Sequence, residues 1–233
     1  MKKCVLIGDC SQNEIVDGNL KVNIIDKKIV EMIKKESPVF LFIGLASSYA
    51  DSRYDKIKKV YQKLNCVTTY LKKSNLIHNP DLVKNKIDQA DIIYIGGGDT
   101  IKLLKEITEF DLKPLLENAY RRGCVFVGLS AGAIALAKTG FSDSGILRGE
   151  REDYNFIKGF GFANLEICPH YHDNIERTEQ LLEAIKDTRK VVYGLEKDTA
   201  LIISGNNIEV LSSFGNKVFK ISYTDKYIEK EIN

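Results

Sequence analysis

Short apolar, β-branched runs alternate along this 233-residue chain with longer stretches of helical periodicity, an alternation that leaves few folds open. The runs 4–7, 39–43, 66–71, 92–95, 124–127, 165–168 and 191–195 read as strands. Between them, Ile57, Val60, Tyr61 and Leu64, and again Ile101, Leu103, Leu104 and Ile107, fall one above another on a helix. Strands that are apolar on both faces need cover on both faces, so the pattern predicts an α/β class: a doubly wound, mostly parallel sheet with helices on either side. The end of the chain differs. Segments 199–203, 208–211 and 218–222 are short and alternating, with Gly205-Asn206-Asn207 and Gly215-Asn216 between them, and predict an antiparallel extension. No repeat or Pro/Gly/Ser-rich linker divides the chain, so residues 1–233 read as one domain. The stretch 139–161 reads as a long irregular loop whose Arg148, Glu150, Arg151, Glu152 and Asp153 form a solvated face.

Composition narrows the classes of function. The charged residues, 28% of the chain with a net charge of +2, include no basic run interleaved with aromatics, which argues against a nucleic-acid partner. No apolar stretch approaches a bilayer span, and Asp9 interrupts the apolar start, which therefore reads as a first strand. The cysteines Cys4, Cys10, Cys66, Cys124 and Cys168 are odd in number and scattered, as expected for free thiols in the cytoplasm. Neither a metal nor another cofactor is called for.

The strongest local signal is Gly128-Leu129-Ser130-Ala131-Gly132, preceded by the strand run 124–127 and followed by Ala133-Ile134-Ala135-Leu136-Ala137. Strand, sharp turn and helix with a serine at the turn make a nucleophile elbow, in which only small neighbours avoid a clash. A serine needs a base, and the three histidines are His78, His170 and His172. His78 lies in a polar connection, whereas His170 and His172 follow a strand at the sheet edge that Ser130 shares, so either could serve. A second glycine segment, Ile95-Gly96-Gly97-Gly98-Asp99-Thr100, again joins a strand end to a helix start. It lacks the spacing of a phosphate loop or a dinucleotide fingerprint. Beside the elbow it reads better as half of an oxyanion hole, one N–H from Ala131 and one from Gly98 or Gly97.

These motifs, with Cys-Pro-His-Tyr at 168–171, occur in an order and spacing that resemble the peptidase E (aspartyl dipeptidase) and cyanophycinase family of serine peptidases, family S51. The resemblance implies a sheet of the class I glutamine amidotransferase type, Ser130 as nucleophile, His170 as base and hydrolysis of a short peptide or isopeptide. For the third member it implies Glu196, beside the position the cyanophycinase branch uses, or Asp143, thirteen places after the nucleophile. It also implies substrate contacts from Gly97, from Asp99 in place of the peptidase E asparagine, and from Arg177, for which the sequence itself favours a surface pair with Glu176 or Glu179. An added charge at Asp99 would disfavour an acidic substrate group. A small peptide is the implied partner, and a homodimer is expected. Two other readings stay open: an esterase using the order Ser130, Asp143, His170, and a homologue that binds small peptides without turnover.

Overall fold

The computed structural model describes residues 2–10, 15–16, 19–20 and 22–233. Two main sheets carry the architecture. The seven-stranded sheet runs in the order β13 (Asn207–Ser212), β12 (Thr199–Ser204), β1 (Lys3–Ile7), β7 (Val125–Leu129), β6 (Ile92–Ile95), β4 (Val39–Ile43), β5 (Val67–Leu71). Its five strands from β1 to β5 in that order are parallel, while β12 and β13 continue it antiparallel. A short pair, β2 (Ile15–Val16) and β3 (Asn19–Leu20), stands apart. The six-stranded sheet runs β15 (Tyr227–Ile232), β14 (Val218–Tyr223), β11 (Val191–Leu195), β10 (Ala163–Pro169), β8 (Ala137–Ser142), β9 (Asn155–Lys158).

Alternation in the central strands explains the layering. In β1, Cys4 and Leu6 point into one core while Val5 and Ile7 point into the other, and all four are buried. Helices α1 (Ile24–Glu31) and α2 (Ala50–Lys63) close the Val5 side, where Tyr61 stacks on Phe40 at 3.8 Å between ring centroids. The Leu6 side receives α3 (Lys73–His78), α4 (Pro80–Gln89), α5 (Thr100–Glu109), α6 (Leu112–Arg121) and α7 (Ala131–Leu136). The same core takes in Ile167 and Val218 of the six-stranded sheet, so the two sheets share one apolar interior. Helix α9 (Ile175–Ile185) covers the second sheet through Leu181 and Ile185, packed with Phe141, Tyr171 and Val192. No described helix is long and apolar enough to cross a membrane.

The doubly wound pattern therefore holds for the first sheet, with helices on both faces. The C-terminal strands are antiparallel, as expected, and are shared between the two sheets: β12 and β13 join the first, β14 and β15 the second. One expectation needs correction. The stretch 139–161 is not one irregular loop, because it contains most of β8, then α8 (Ser144–Leu147) and β9. Its polar letters concealed β8, which is paired on both sides by β9 and β10. Gly140 in it lies so close to α7 that a Cβ would come within 2.6 Å of Ile134 Cγ1.

Candidate active site

Strand β7 ends at Leu129, and Ser130 turns the chain into α7 with φ 51° and ψ −110°, a conformation few non-glycine residues adopt. Surrounding bonds hold the strain: Ser130 N–H donates to Ile7 O at 2.9 Å, and Ser130 O accepts from Ile134 N–H at 3.0 Å. The small neighbours are obligatory. A Cβ on Gly128 would come within 2.4 Å of Gly132 O, and one on Gly132 within 2.1 Å of Ile95 O.

His170 arrives from the other sheet, in the turn that follows β10. That turn is pinned in its middle by Tyr171, which is fully buried and donates its N–H to Leu195 O at 3.0 Å. His170 and His172 flank it, both at positive φ, 58° and 68°. The two imidazoles have different partners. His170 Nε2 lies 2.8 Å from Ser130 Oγ, and its Nδ1 lies 2.8 Å from Asp173 Oδ2 and 3.9 Å from Asp9 Oδ2. With the imidazole proton on Nδ1, directed at Asp173, the Nε2 lone pair accepts the Ser130 hydroxyl. His172 Nδ1 instead meets Glu196 Oε1 at 2.8 Å, and its Nε2 meets Glu229 Oε1 at 3.3 Å.

The carboxylates implied by resemblance are thus engaged elsewhere. Glu196 binds His172 with one oxygen and accepts Lys217 N–H at 2.7 Å with the other. Asp143 Oδ2 accepts from Arg177 Nη2 at 2.9 Å. The group against His170 is Asp173, three residues on in the same turn, where Asp173 N–H closes onto His170 O at 3.1 Å. Asp9 stands behind it, just past the end of β1, its carbonyl accepting Asp198 N–H at 2.8 Å. Chain spacing signals Asp173, since a turn brings i and i+3 together; Asp9 required knowing that β1 lies beside β7.

The other expected contacts separate in the same way. Gly98 has φ 141°, and a Cβ there would meet Ala46 O at 2.4 Å. A Cβ on Gly97 would lie 3.3 Å from Ser130 Cβ, which places the glycine loop directly against Ser130. Among the described residues, no turn or loop hydrogen bond uses the N–H of Gly97, Gly98 or Ala131. Asp99 is occupied as the cap of α5, accepting Lys102 N–H at 3.1 Å, with Arg148 Nη1 3.7 Å from its other oxygen. Its charge is offset rather than presented bare. Arg177 is buried, donates to Pro169 O at 3.1 Å, and lies 4.6 Å over the Tyr154 ring, so it supports the residue before His170.

Donor atoms of Asp9, His170 and Asp173 lie within 4.8 Å of one another, while His172 faces its own glutamates and does not join them. Four of the five cysteines are buried and Cys10 is half-buried; burial pushes the Cys168 thiol up to about 12, and burial with three nearby aspartates raises Cys10.

Residues 13–211 match the pattern of Peptidase family S51. The chain belongs to that family. An uncharacterized peptidase YgaJ of Bacillus subtilis (strain 168) is 32% identical over 155 residues, covering 66% of this chain and 63% of that protein. Peptidase E of Actinobacillus pleuropneumoniae serotype 5b (strain L20) is 31% identical over 148 residues, 59% of this chain and 61% of its own length. The chain thus spans less than two thirds of the length of these curated relatives. A crystal structure of a peptidase from an acI-B1 actinobacterium superposes with a TM-score of 0.70 at 20% identity, covering 100% of this chain and 94% of that one. A putative peptidase E from Listeria monocytogenes EGD-e gives 0.65 at 17% identity, covering 91% and 99%. At those identities the two structures speak for the S51 fold alone.

Proposed function

We propose that this S51 member is a serine peptidase that hydrolyses short peptides or isopeptides through an acyl-enzyme, with Ser130 as nucleophile and His170 as base. The 2.8 Å approach of Ser130 Oγ to His170 Nε2, at an elbow strained as nucleophile elbows are, carries this reading. Ser130 Oγ attacks the peptide carbonyl carbon as its proton passes to His170 Nε2. The oxyanion that forms is held by the N–H groups of Ala131 and Gly98. Collapse of the tetrahedral species breaks the C–N bond, and the imidazolium returns its proton to the leaving amine. Water, deprotonated by the same imidazole, then attacks the acyl-serine, and the imidazolium passes that proton to Ser130 Oγ as the acid is released. Asp173 holds the imidazole tautomer and stabilises its cation, with Asp9 as a more distant second charge. A silent homologue would rest on the displaced glutamate; the carboxylate of Asp173 at 2.8 Å from His170 supports turnover instead.

The test is a panel of dipeptides and matched acyl esters, with β-linked aspartyl and lysyl forms included. Wild-type protein should release amine, and Ser130→Ala should fall by about 10⁶-fold if the residues act as a unit. A fluorophosphonate probe should label Ser130. Residual turnover near wild type in Ser130→Ala would remove the hypothesis, and preference for esters over every peptide would move the protein to an esterase role.

A further inference from the structure

Arg53 lies in the first turn of α2, and nothing in the sequence singles it out. Its Nη1 donates to Gly97 O at 2.5 Å. A bond from a guanidinium to a carbonyl is charge-assisted and short, stronger than one between neutral groups. The location matters more than the strength. The position a Gly97 Cβ would take is 3.6 Å from Arg53 Nη1 and 3.3 Å from Ser130 Cβ, so the cation and the nucleophile flank the same point of the loop.

The peptide unit that joins Gly97 to Gly98 contains both the carbonyl that Arg53 holds and the N–H assigned above to the oxyanion. No peptide bond among the described residues is cis, so this carbonyl and N–H point in opposite directions. Fixing the oxygen toward Arg53 therefore aims the hydrogen away from it. Donation to the oxygen also draws electron density off the nitrogen and makes the N–H a better donor. The loop has backbone anchors on either side: Gly96 N–H, in the Ile95–Gly96 unit, donates to Ile43 O at 3.0 Å, and Asp99 N–H, in the Gly98–Asp99 unit, to Ala46 O at 3.0 Å. Of the two units between these anchors, Gly97–Gly98 is held by Arg53. Two adjoining glycines, one at φ 141°, would otherwise leave that plane free to rotate.

We infer that Arg53 is a positioning residue of the reaction, fixing the Gly97–Gly98 peptide plane so that the Gly98 N–H meets the oxyanion in the transition state. The inference rests on the peptidase reading above. An effect confined to the transition state lowers kcat and leaves KM in place.

Steady-state kinetics on the best dipeptide of the panel tests it, using Arg53→Met, Arg53→Gln, Arg53→Lys and, for rescue, Arg53→Ala. Loss of a whole oxyanion donor costs about 10²–10³ in kcat, so a donor left in place but mis-aimed should cost about 10- to 10²-fold, with KM held within about threefold. Lys should retain more than Gln, and Gln more than Met, with thermal midpoints near wild type. Added guanidinium at millimolar concentration should restore part of the turnover of Arg53→Ala, a rescue that a merely structural role would not give. Wild-type kcat in Arg53→Met, or unchanged kcat with a raised KM, overturns the inference. If Arg53→Met fails to fold, the same comparison is read from Arg53→Lys and Arg53→Gln. A wild-type protein that neither turns over nor takes up fluorophosphonate at Ser130 overturns the peptidase reading itself, and this inference with it.

Discussion

Asp173→Asn separates the carboxylate that geometry favours from the one that family resemblance favours. The exchange keeps shape but removes the charge 2.8 Å from His170 Nδ1, and Asn can present an N–H to the imidazole, favouring the wrong tautomer. A buried triad aspartate so replaced costs about 10⁴ in kcat. Here the figure must shrink for two reasons. Asp173's side chain is 37% exposed, so its field is partly screened by water, and Asp9 remains as a second charge at 3.9 Å. A unit charge about 4 Å away is worth about 1 kcal/mol in water and about 4 kcal/mol near a protein surface. At 1.36 kcal/mol per tenfold, that range brackets a loss of about 5- to 10³-fold, centred near 10²-fold. The double change Asp9→Asn with Asp173→Asn should approach the full 10⁴-fold loss of a triad without its acid. Glu196→Gln, which alters His172's partner instead, should stay within about twofold, as surface changes do. Initial rates of amine release on one dipeptide, with thermal midpoints as a folding control, rank the three. A Glu196→Gln loss equal to or greater than that of Asp173→Asn would refute the assignment.

Two further outcomes follow from burial. The thiols are pushed up, Cys66 to about 11 and Cys124 to about 12, chiefly by desolvation, so the reactive thiolate form grows only as pH rises toward those values. At pH 8, where about one Cys66 in 10³ is ionised, iodoacetamide should leave activity intact and label the chain only after urea, as mass spectrometry would record; rapid inactivation by one alkylated cysteine would contradict the serine chemistry. Arg177→Met should lower stability by about 1–3 kcal/mol in urea unfolding, through the lost bonds to Pro169 O and Asp143. The ratio of rates on a dipeptide and its C-terminal amide should not move, and a collapse of that ratio without loss of stability would return Arg177 to substrate binding.

What was legible in the sequence was what depends on neighbours in the chain. The elbow needs Gly128, Ser130 and Gly132 at fixed spacing because the clashes it avoids are local or with the adjacent strand, and the α/β alternation is visible because period and burial are strand properties. Less was legible where a side chain's role depends on which strand lies beside it. Glu196 and Asp143 both sit near His170 in family order, yet each finds a closer partner, His172 and Arg177. Arg177 is buried although its helix neighbours Glu176 and Glu179 are charged, because Leu181 and Ile185 place its face against the second sheet. Strand β8 was hidden because α7 passes into it without a loop, so Ala133 to Ala137 read as one continuous helix.

Ser130 is carried by one sheet and His170 by the other, and no single slab of the molecule contains both members of the proposed pair. Their alignment is therefore a property of the seam between slabs. A shear of about 1 Å along it is enough to cost about 10²-fold in rate while every strand keeps its own ladder. Catalysis would then fade before circular dichroism registers any change, which makes turnover the finer gauge of how firmly the two halves are seated.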